Sequence, residues 1–365
     1  MNLSETVKLY LTKEQKTLVV ETMHEYICTV NSLVSVAVNG TSISKFTTAD
    51  VNANLSSALT NQCIRDAKSI VTKYNKECRK AANPEDVTTP TLRKPCCYIN
   101  NQNFKLSESH IEFPVMINGK SKRISVYTAM TDRQKSLFLN HKLGTMRVVC
   151  KGNQIVAQII YQVAEPDYLT EGKIMGVDLG IKCPAVSYIS DGSVKFYGNG
   201  RKNKYIRRHY KCLRTRLQKA KHLKAVTRIN NKEQRIMKDT DHKLSCSIIQ
   251  TAVKHNVKVI KLECLANIRS TTRTSRKNNP SLHTWSFYRL SKYIEYKAKL
   301  AGIEVEFVNP AYTSQTCPIC GHKHHANDRD YKCKCGFHIH RDLLGAMNIC
   351  NSTEYIGDKT IRHTA

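Results

Sequence analysis

Apolar residues recur every three or four positions in the first part of the chain, which predicts helices. Between residues 19 and 34 they fall at 19, 23, 26, 27, 30, 33 and 34, and the pattern ends at Asn39-Gly40. A second stripe predicts a helix from about Asp50 to residue 74. A short strand over residues 6–12 precedes both helices, and the stretch 81–95, with three prolines, is predicted to be a linker.

The apolar period then shortens from 3.6 to 2 residues, which is typical of strands. Residues 124–130 and 146–163 alternate in this way, and the second segment is predicted to fold back as a hairpin at 151–153. We therefore expect a β-barrel module over residues 96–170 that includes the first strand, 1–12. The helices of residues 13–95 would then form an inserted lobe.

From residue 171 the pattern becomes α/β. Strands are predicted over 173–189, 257–263 and 303–308, and a helix over 284–301 with Gly302 at its C-terminal cap. This alternation predicts an α/β domain over residues 171–309, beside the β-barrel and helical parts.

Composition restricts the class of protein. The 365 residues carry 58 Lys+Arg against 29 Asp+Glu, a net charge of +29, and 41% are hydrophobic, which is too many for a disordered polycation. No apolar run is long enough for a membrane span and no signal peptide is expected, so we expect a reducing compartment, no membrane partner and thiols rather than disulfides for the 15 cysteines. The charge indicates a polyanionic partner, with nucleic acid favoured over an anionic membrane surface.

Four cysteines have the spacing of a zinc site. They form two close pairs, Cys317/Cys320 and Cys333/Cys335. Four thiolates suit a closed tetrahedral zinc, which leaves no open position for chemistry, so the site is expected to be structural. Nearby histidines offer spare donors, and replacement of one cysteine ligand by a histidine stays open.

Three carboxylates occupy the ends of predicted elements. Asp178 ends a strand within Gly-Val-Asp-Leu-Gly, a pattern shared by RuvC-type nucleases and by the phosphate loop of actin-like kinases. Glu263 ends the strand 257–263, and Asp342 lies in the first turn of a helix. Taken singly, the three are open to plainer interpretations as a strand-end turn, a surface glutamate and a helix cap.

Taken together, the three acids predict a metal site, because such ends can meet at one edge of a sheet. Convergent carboxylates can bind two divalent cations, one polarising water and the other stabilising the leaving oxygen of a phosphodiester. Carboxylate and water ligands favour Mg²⁺ or Mn²⁺.

Five segments resemble the TnpB family of transposon-encoded, RNA-guided DNA endonucleases, which is ancestral to type V CRISPR effectors. They cover much of residues 171–350, about half of the chain, and are GVDLGIK (176–182), KDTDHKLS (238–245), IKLECLANI (260–268), WSFYRLSKYIEYKAKLAGIEVEFVNPAYTSQTCPICG (285–321) and YKCKCGFHIHRDLLGAMNI (331–349). Before residue 171 the likeness is only architectural.

The resemblance implies an RNase H-like RuvC nuclease domain with a zinc finger inserted at 310–337 and a last RuvC segment at 338–365. It implies an N-terminal oligonucleotide-binding-like wedge barrel that contains the helical recognition lobe. Asp178, Glu263 and Asp342 match the three catalytic, magnesium-binding positions of the family, and the four cysteines match its zinc ligands. Cys264, where many relatives carry Asp or Asn, and the C-x-C zinc pair depart from the family pattern.

The implied activity is metal-dependent DNA cleavage directed by a guide RNA from the transposon end. The implied target is duplex DNA beside a short transposon-adjacent motif. The implied cofactors are two Mg²⁺ (or Mn²⁺), one structural Zn²⁺ and the guide RNA. The resemblance also implies that the protein acts as a monomer in a prokaryotic cytoplasm, at the nucleoid.

The segment 201–235 contains fourteen Lys/Arg and a single acid, Glu233, and begins as an amphipathic helix. So many cations with one counter-charge favour contact with a nucleic-acid backbone, most simply the guide–target heteroduplex. The loop 270–284 is predicted to be a lid over the metal site. The predicted contacts are Arg201, Lys202, Lys204, Arg207, Arg208, Lys211, Arg214, Arg216, Lys219, Lys221, Arg273 and Arg276.

Three other functions are compatible with part of these features. A nuclease-dead, guide-directed repressor would be free to lose the three acids, which are intact here. An actin-like sugar kinase would need a later glycine-rich phosphate loop, which the sequence lacks, and would leave the cysteines and the charge unexplained. A miniature type V CRISPR effector fits the same residues and stays open.

Overall fold

A computed structural model describes residues 1–152, 154–229, 231–265, 285–326 and 328–354. The chain divides into two compact units, Met1–Ala164 and Glu165–Ala365. The predicted lid loop 270–284, with Arg273 and Arg276, lies outside the described residues. Among the helices that are described, none has the length and apolar character needed to cross a membrane.

The first unit combines two antiparallel sheets with helices. In chain order its strands and α-helices are β1 (Asn2–Lys8), α1 (Lys13–Val38), α2 (Ser57–Cys78), β2 (Cys96–Ile99), β3 (Lys105–Leu106), β4 (His110–Ile117), β5 (Lys120–Tyr127), α3 (Asp132–Asn140), β6 (Leu143–Lys151) and β7 (Gln154–Gln162).

The first strand joins the β-rich module, as the sequence predicted. One sheet has the order β1-β7-β6-β2 and the other β3-β4-β5, and an isolated bridge pairs Tyr10 with Tyr127. Because β1 pairs with β7 and β2 with β6, α1 and α2 lie between strands of one sheet along the chain. Assignment of these sheets to a wedge barrel, and of the helices to a recognition lobe, stays a prediction.

Several elements of this unit differ from those predicted, among them β1, α2 and α3. β1 covers residues 2–8 rather than 6–12, because that stretch pairs with β7. α2 begins at Ser57 rather than near Asp50, because the Ser56 hydroxyl accepts the Leu59 N–H and caps the helix there. Helix α3 was not predicted, although Thr131 and Gln134 form the capping box that starts it.

The second unit is a mixed α/β structure with a small β-hairpin. Its elements are β8 (Lys173–Asp178), β9 (Ala185–Ile189), β10 (Val194–Tyr197), α4 (Gly200–Lys219), α5 (Leu223–Ile229), α6 (Lys232–Lys254), β11 (Val257–Glu263), α7 (Phe287–Leu300), β12 (Glu304–Val308), β13 (Asp330–Lys332), β14 (His338–His340) and α8 (Arg341–Asn351).

The central sheet of this unit has the order β10-β9-β8-β11-β12. Strands β8, β11 and β12 run parallel, whereas β9 and β10 run antiparallel to their neighbours. Ile248 of α6, Ile260 of β11 and Ile294 of α7 are fully buried in one core, so helices pack on the sheet through apolar side chains. The carboxyl ends of β8 and β11 therefore meet at one edge.

The basic segment forms three helices rather than one. α4 ends at Lys219, and Lys221 adopts a left-handed conformation with φ +57°. A non-glycine residue in that region interrupts an α-helix, so the chain turns before α5 begins.

Candidate active site

Asp178 and Glu263 are neighbours at the edge of the central sheet. Val177 of β8 pairs with Leu262 of β11 in a parallel register, and each acid follows that pair by one residue. Neighbouring strands lie about 4.8 Å apart, and residues in register point to the same face. The two strands therefore place both carboxylates side by side, as the sequence predicted.

Helix α8 brings the third acid to this edge. Asp342 lies in the first turn of α8 and is 5% exposed. A Cβ added at Gly345 would lie 3.3 Å from Cγ of Asp178, and one at Gly176 would lie 2.2 Å from the carbonyl oxygen of Ala346. The two glycines let α8 approach β8 closely, so Asp342 lies over the strand that ends at Asp178.

The electrostatics of the acids show that they lie within range of one another. Removal from water raises the pKa of Asp178 well above its ordinary value, and the negative charges of Glu263 and Asp342 raise it further. Burial raises the pKa of Glu263 to about 6, although a hydrogen bond from the Thr313 hydroxyl opposes the shift. Three carboxylates that repel one another in a partly dehydrated site call for a cation.

The partners of Asp342 leave one of its oxygens available. Arg329 donates to Oδ1, whereas Oδ2 is buried and accepts no hydrogen bond from any residue that the structure describes. The backbone N–H of Asp342 donates to Nδ1 of His340, which caps the helix. A buried carboxylate oxygen that accepts no hydrogen bond, in a site with two further acids, fits a divalent cation, since hard oxygen donors suit Mg²⁺ or Mn²⁺.

The four cysteines form a second candidate metal centre. Sγ of Cys317 lies 3.6 Å from Sγ of Cys335, and Sγ of Cys320 lies 3.4 Å from Sγ of Cys333. All four sulfurs lie within 4.8 Å of one another, whereas no other group of three or more potential ligands in the described part of the chain is so compact. Tetrahedral Zn–S bonds would separate the sulfurs by about 3.8 Å, so this donor set fits zinc.

Without a metal the cysteines share hydrogen bonds, so the pKa of Cys333 is lowered whereas the pKa values of Cys320 and Cys335 are raised. The backbone N–H of Cys335 is the main group that lowers the pKa of Cys333, to about 6. A thiolate rather than a thiol binds zinc, so this hydrogen bond prepares one ligand.

The predicted nucleic-acid contacts on α4 fall into two groups. Arg207 and Arg214 are partly buried and lie 4.0 Å and 2.7 Å from the carboxylate of Glu233. The side chains that remain exposed are those of Arg201, Lys202, Lys204, Arg208, Lys211, Arg216, Lys219 and Lys221. The structure therefore shows a dense cationic surface on α4 and its C-terminal turn. Arg207 and Arg214 are instead paired with Glu233.

Sequence reasoning missed the groups that hold the acids in place. Thr313 binds Glu263 from fifty residues away, and Arg329 binds Asp342 from the turn before the β13–β14 hairpin. Asp241 and Arg289 form another ion pair between distant parts of the chain. The buried carboxylate of Asp241 lies 2.6 Å from the guanidinium of Arg289. Only the helix-capping position of His340 carried a local signal, since it directly precedes the predicted helix.

Comparisons with known proteins connect this geometry to one group. The family model described as Cas12f1-like, TNB domain, matches residues 287–349. A TnpB-like protein of Methanocaldococcus jannaschii is 32% identical over 261 residues, which are 66% of this chain and 91% of the relative. The CRISPR-associated endodeoxyribonuclease Cas12f1 of Sulfoacidibacillus thermotolerans is 28% identical over 195 residues, which are 48% of this chain and 45% of the relative. The chain thus spans less than half the length of that Cas12f1.

Solved structures show the same fold. A Cas12f1–sgRNA–target DNA complex determined by cryo-EM matches with a TM-score of 0.67 at 17% identity, over 93% of this chain and 81% of the other. CasPhi-2 (Cas12j) bound to crRNA and DNA matches with a TM-score of 0.50 at 9% identity, over 96% and 91%. The mixed α/β effector fold expected from the sequence is therefore confirmed at the level of the whole chain.

Proposed function

Because this chain belongs to the TnpB family, as its motifs predicted, we propose that it is an RNA-guided DNA endonuclease. The observation that carries the proposal is the convergence of Asp178, Glu263 and Asp342 at one end of the sheet, where burial and the charges of the other two acids raise the pKa of Asp178. The reaction is metal-dependent hydrolysis of a DNA phosphodiester, and the three acids are the catalytic ligands of Mg²⁺ or Mn²⁺.

Bound cations would supply the activated water and the stabilisation of the leaving oxygen. The chain's own residues prepare that site. The Thr313 hydroxyl fixes one oxygen of Glu263, and the His340 ring fixes the first turn of α8 and with it Asp342. Arg329 neutralises Oδ1 of Asp342 and leaves Oδ2 for a metal. Each of these contacts orients a ligand before the cation arrives, which reduces the cost of assembling the site.

The zinc centre has a structural role in this proposal. Lys182, which lies four residues beyond Asp178, forms a 2.7 Å ion pair with Asp328, beside the β13–β14 hairpin that carries Cys333 and Cys335. Arg329, the next residue, binds Asp342. Two ion pairs, Lys182–Asp328 and Arg329–Asp342, therefore connect the start of this hairpin to the segments that carry the acids. Bound zinc would keep the hairpin folded and so keep both ion pairs in place.

The partners proposed are a guide RNA from the transposon end and duplex DNA beside an adjacent motif. The exposed cations of α4 are proposed to contact the phosphates of the guide–target heteroduplex, because a cationic surface with one paired acid is complementary to a polyanion. The N-terminal unit is proposed to serve as wedge barrel and recognition lobe, and the protein to act as a monomer at the nucleoid.

A miniature type V CRISPR effector is the second candidate, since the chain is also similar to Cas12f1 of S. thermotolerans. A CRISPR array beside the gene would favour it. A nuclease-dead repressor is disfavoured, because all three acids are present and lie near one another at the same end of the sheet.

The proposal is tested by purifying the chain from its native locus and sequencing the RNA that accompanies it. The purified complex is then incubated with Mg²⁺ and a plasmid carrying a sequence complementary to the variable end of that RNA. We expect one discrete RNA species and cleavage of the matching plasmid only. Random RNA fragments, or equal cleavage of matched and scrambled plasmids, would refute guidance by RNA.

A further inference from the structure

Three aromatic rings lie together on the surface of the N-terminal unit. The ring centroids of Tyr10 and Tyr127 are 5.6 Å apart, as are those of His110 and Tyr127. Tyr10 is 44% exposed and Tyr127 49% exposed, so nearly half of the surface of each residue is open to solvent. Buried aromatic area is a main source of stability, and a cluster that is left half open invites a function other than core packing.

The backbone holds these rings in place. The N–H of Tyr10 donates to the carbonyl oxygen of Tyr127 at 2.9 Å, and His110 is the direct partner of Tyr127 in the β4–β5 ladder. The neighbours Ile111 and Val126 are fully buried, so strand alternation turns His110 and Tyr127 to the outer face. Paired backbone therefore fixes the positions of these residues on the outer face.

Cations flank the rings. Nζ of Lys8 lies 4.4 Å from the ring centroid of Tyr10, and exposed Arg123 lies four residues from Tyr127 on the same face of β5. Two acids also lie in this region: Glu112, directly across from Lys105, and exposed Glu108, in the turn that precedes His110. An exposed aromatic surface with a positive border matches a base that carries phosphates on both sides.

We propose that Tyr10, Tyr127 and His110, with Lys8, form a stacking site for an unpaired nucleobase of a single nucleic-acid strand. Every base has a π-face, so the site accepts any of them, and the cations contact the adjoining phosphates. The site lies in the N-terminal unit and is separate in sequence from the α4 surface and from the three acids. It rests on the proposed function only in requiring that the chain meets nucleic acid.

The test measures binding of the zinc-loaded full chain to three labelled strands of equal length by fluorescence anisotropy. The strands are oligouridine RNA, oligothymidine DNA and an abasic DNA that has the same phosphates but no bases. The double variant Tyr10→Ala/Tyr127→Ala is compared with Tyr127→Phe, which keeps the ring. Tyr168→Ala is the matched control, because Tyr168 is 50% exposed and lies outside the cluster.

We expect the double variant to bind a base-bearing strand about tenfold more weakly, with unchanged affinity for the abasic strand. Tyr127→Phe and Tyr168→Ala should bind like the unaltered chain. Loss with RNA alone, with DNA alone or with both identifies which strand supplies the base. Equal loss for the abasic strand, or no loss for either base-bearing strand, would overturn the stacking site.

The experiment separates this site from the proposed function. If the unaltered chain shows no salt-dependent binding to any strand, the nucleic-acid function itself fails. If it binds and the double variant binds equally well, only the stacking site fails. Circular dichroism of each variant shows whether a loss of affinity reflects unfolding.

Discussion

The ionised side chain of Glu263 is predicted to destabilise the metal-free protein at neutral pH. The variant Glu263→Gln, which cannot ionise, is predicted to have a higher free energy of unfolding. Burial raises the pKa of Glu263 from an ordinary value of 4.5 to about 6. The folded chain therefore binds this proton more tightly than the unfolded chain, so the free energy of unfolding falls as the pH rises between these two values. Relative to protonated Glu263, ionisation lowers the free energy of unfolding by about 2 kcal/mol at pH 7.5 and by less than about 1 kcal/mol at pH 5.

Glutamine keeps the shape of the side chain and the oxygen that accepts from Thr313, but it cannot ionise. The uncharged glutamine also no longer repels the carboxylate of Asp178, whose pKa the charge of Glu263 raises. This second effect also raises the free energy of unfolding. Without Mg²⁺, Glu263→Gln should therefore raise the free energy of unfolding by about 2 kcal/mol at pH 7.5. With Mg²⁺ the advantage should shrink or reverse, because the unaltered chain gains a ligand-bound state that the variant lacks.

Urea unfolding followed by tryptophan fluorescence measures this directly. Trp285 is the single tryptophan of the sequence and packs against the core of the second unit, so its emission reports on the unit that holds the site. Glu304→Gln is the matched control, since Glu304 is exposed on the neighbouring strand β12, and its effect should stay within about 0.5 kcal/mol. A destabilised Glu263→Gln at pH 7.5, or an equal gain at pH 5, would refute the reasoning.

Three further predictions concern the zinc centre, the close packing of α8 and the cationic surface. Metal analysis should find about one zinc per chain. The zinc should be lost in Cys320→Ser and kept in Cys212→Ser. A zinc-free chain that stays folded would contradict the structural role. Gly176→Ala should unfold at a much lower urea concentration or fail to fold, since its Cβ would lie 2.2 Å from a backbone oxygen of α8; an unchanged midpoint would exclude the observed approach. Arg208→Ala should lower the slope of log affinity against log salt for RNA by about 0.7, whereas Arg207→Ala should change it less because Glu233 lies beside Arg207; equal slopes would remove α4 from the interface.

The sequence was most informative where burial follows a regular period. The stripe that begins at Val19 predicted α1, and the apolar run before Glu263 predicted β11, because each pattern reflects a single face turned to a core. The acids could be located for the same reason, since strand ends and helix starts follow from the elements themselves. Their convergence could only be inferred, as the order of strands in a sheet is not encoded locally.

The remaining features depend on contacts between distant parts of the chain. Thr313 and Arg329 lie in turns whose sequences carry no sign that they meet Glu263 and Asp342. The close approach of α8 to β8 explains both Gly176 and Gly345, but each glycine alone is equally compatible with a flexible turn. The break at Lys221 was missed because a left-handed lysine leaves the helical pattern of charges intact.

If Asp178, Glu263 and Asp342 form the nuclease site, Asp178→Ala should abolish cleavage of DNA. The variant is purified with its RNA and incubated with Mg²⁺ and the matching plasmid, beside the unaltered chain. We expect loss of detectable cleavage, with RNA content and RNA affinity unchanged. Continued Mg²⁺-dependent cutting of the matching plasmid by the pure variant would contradict it.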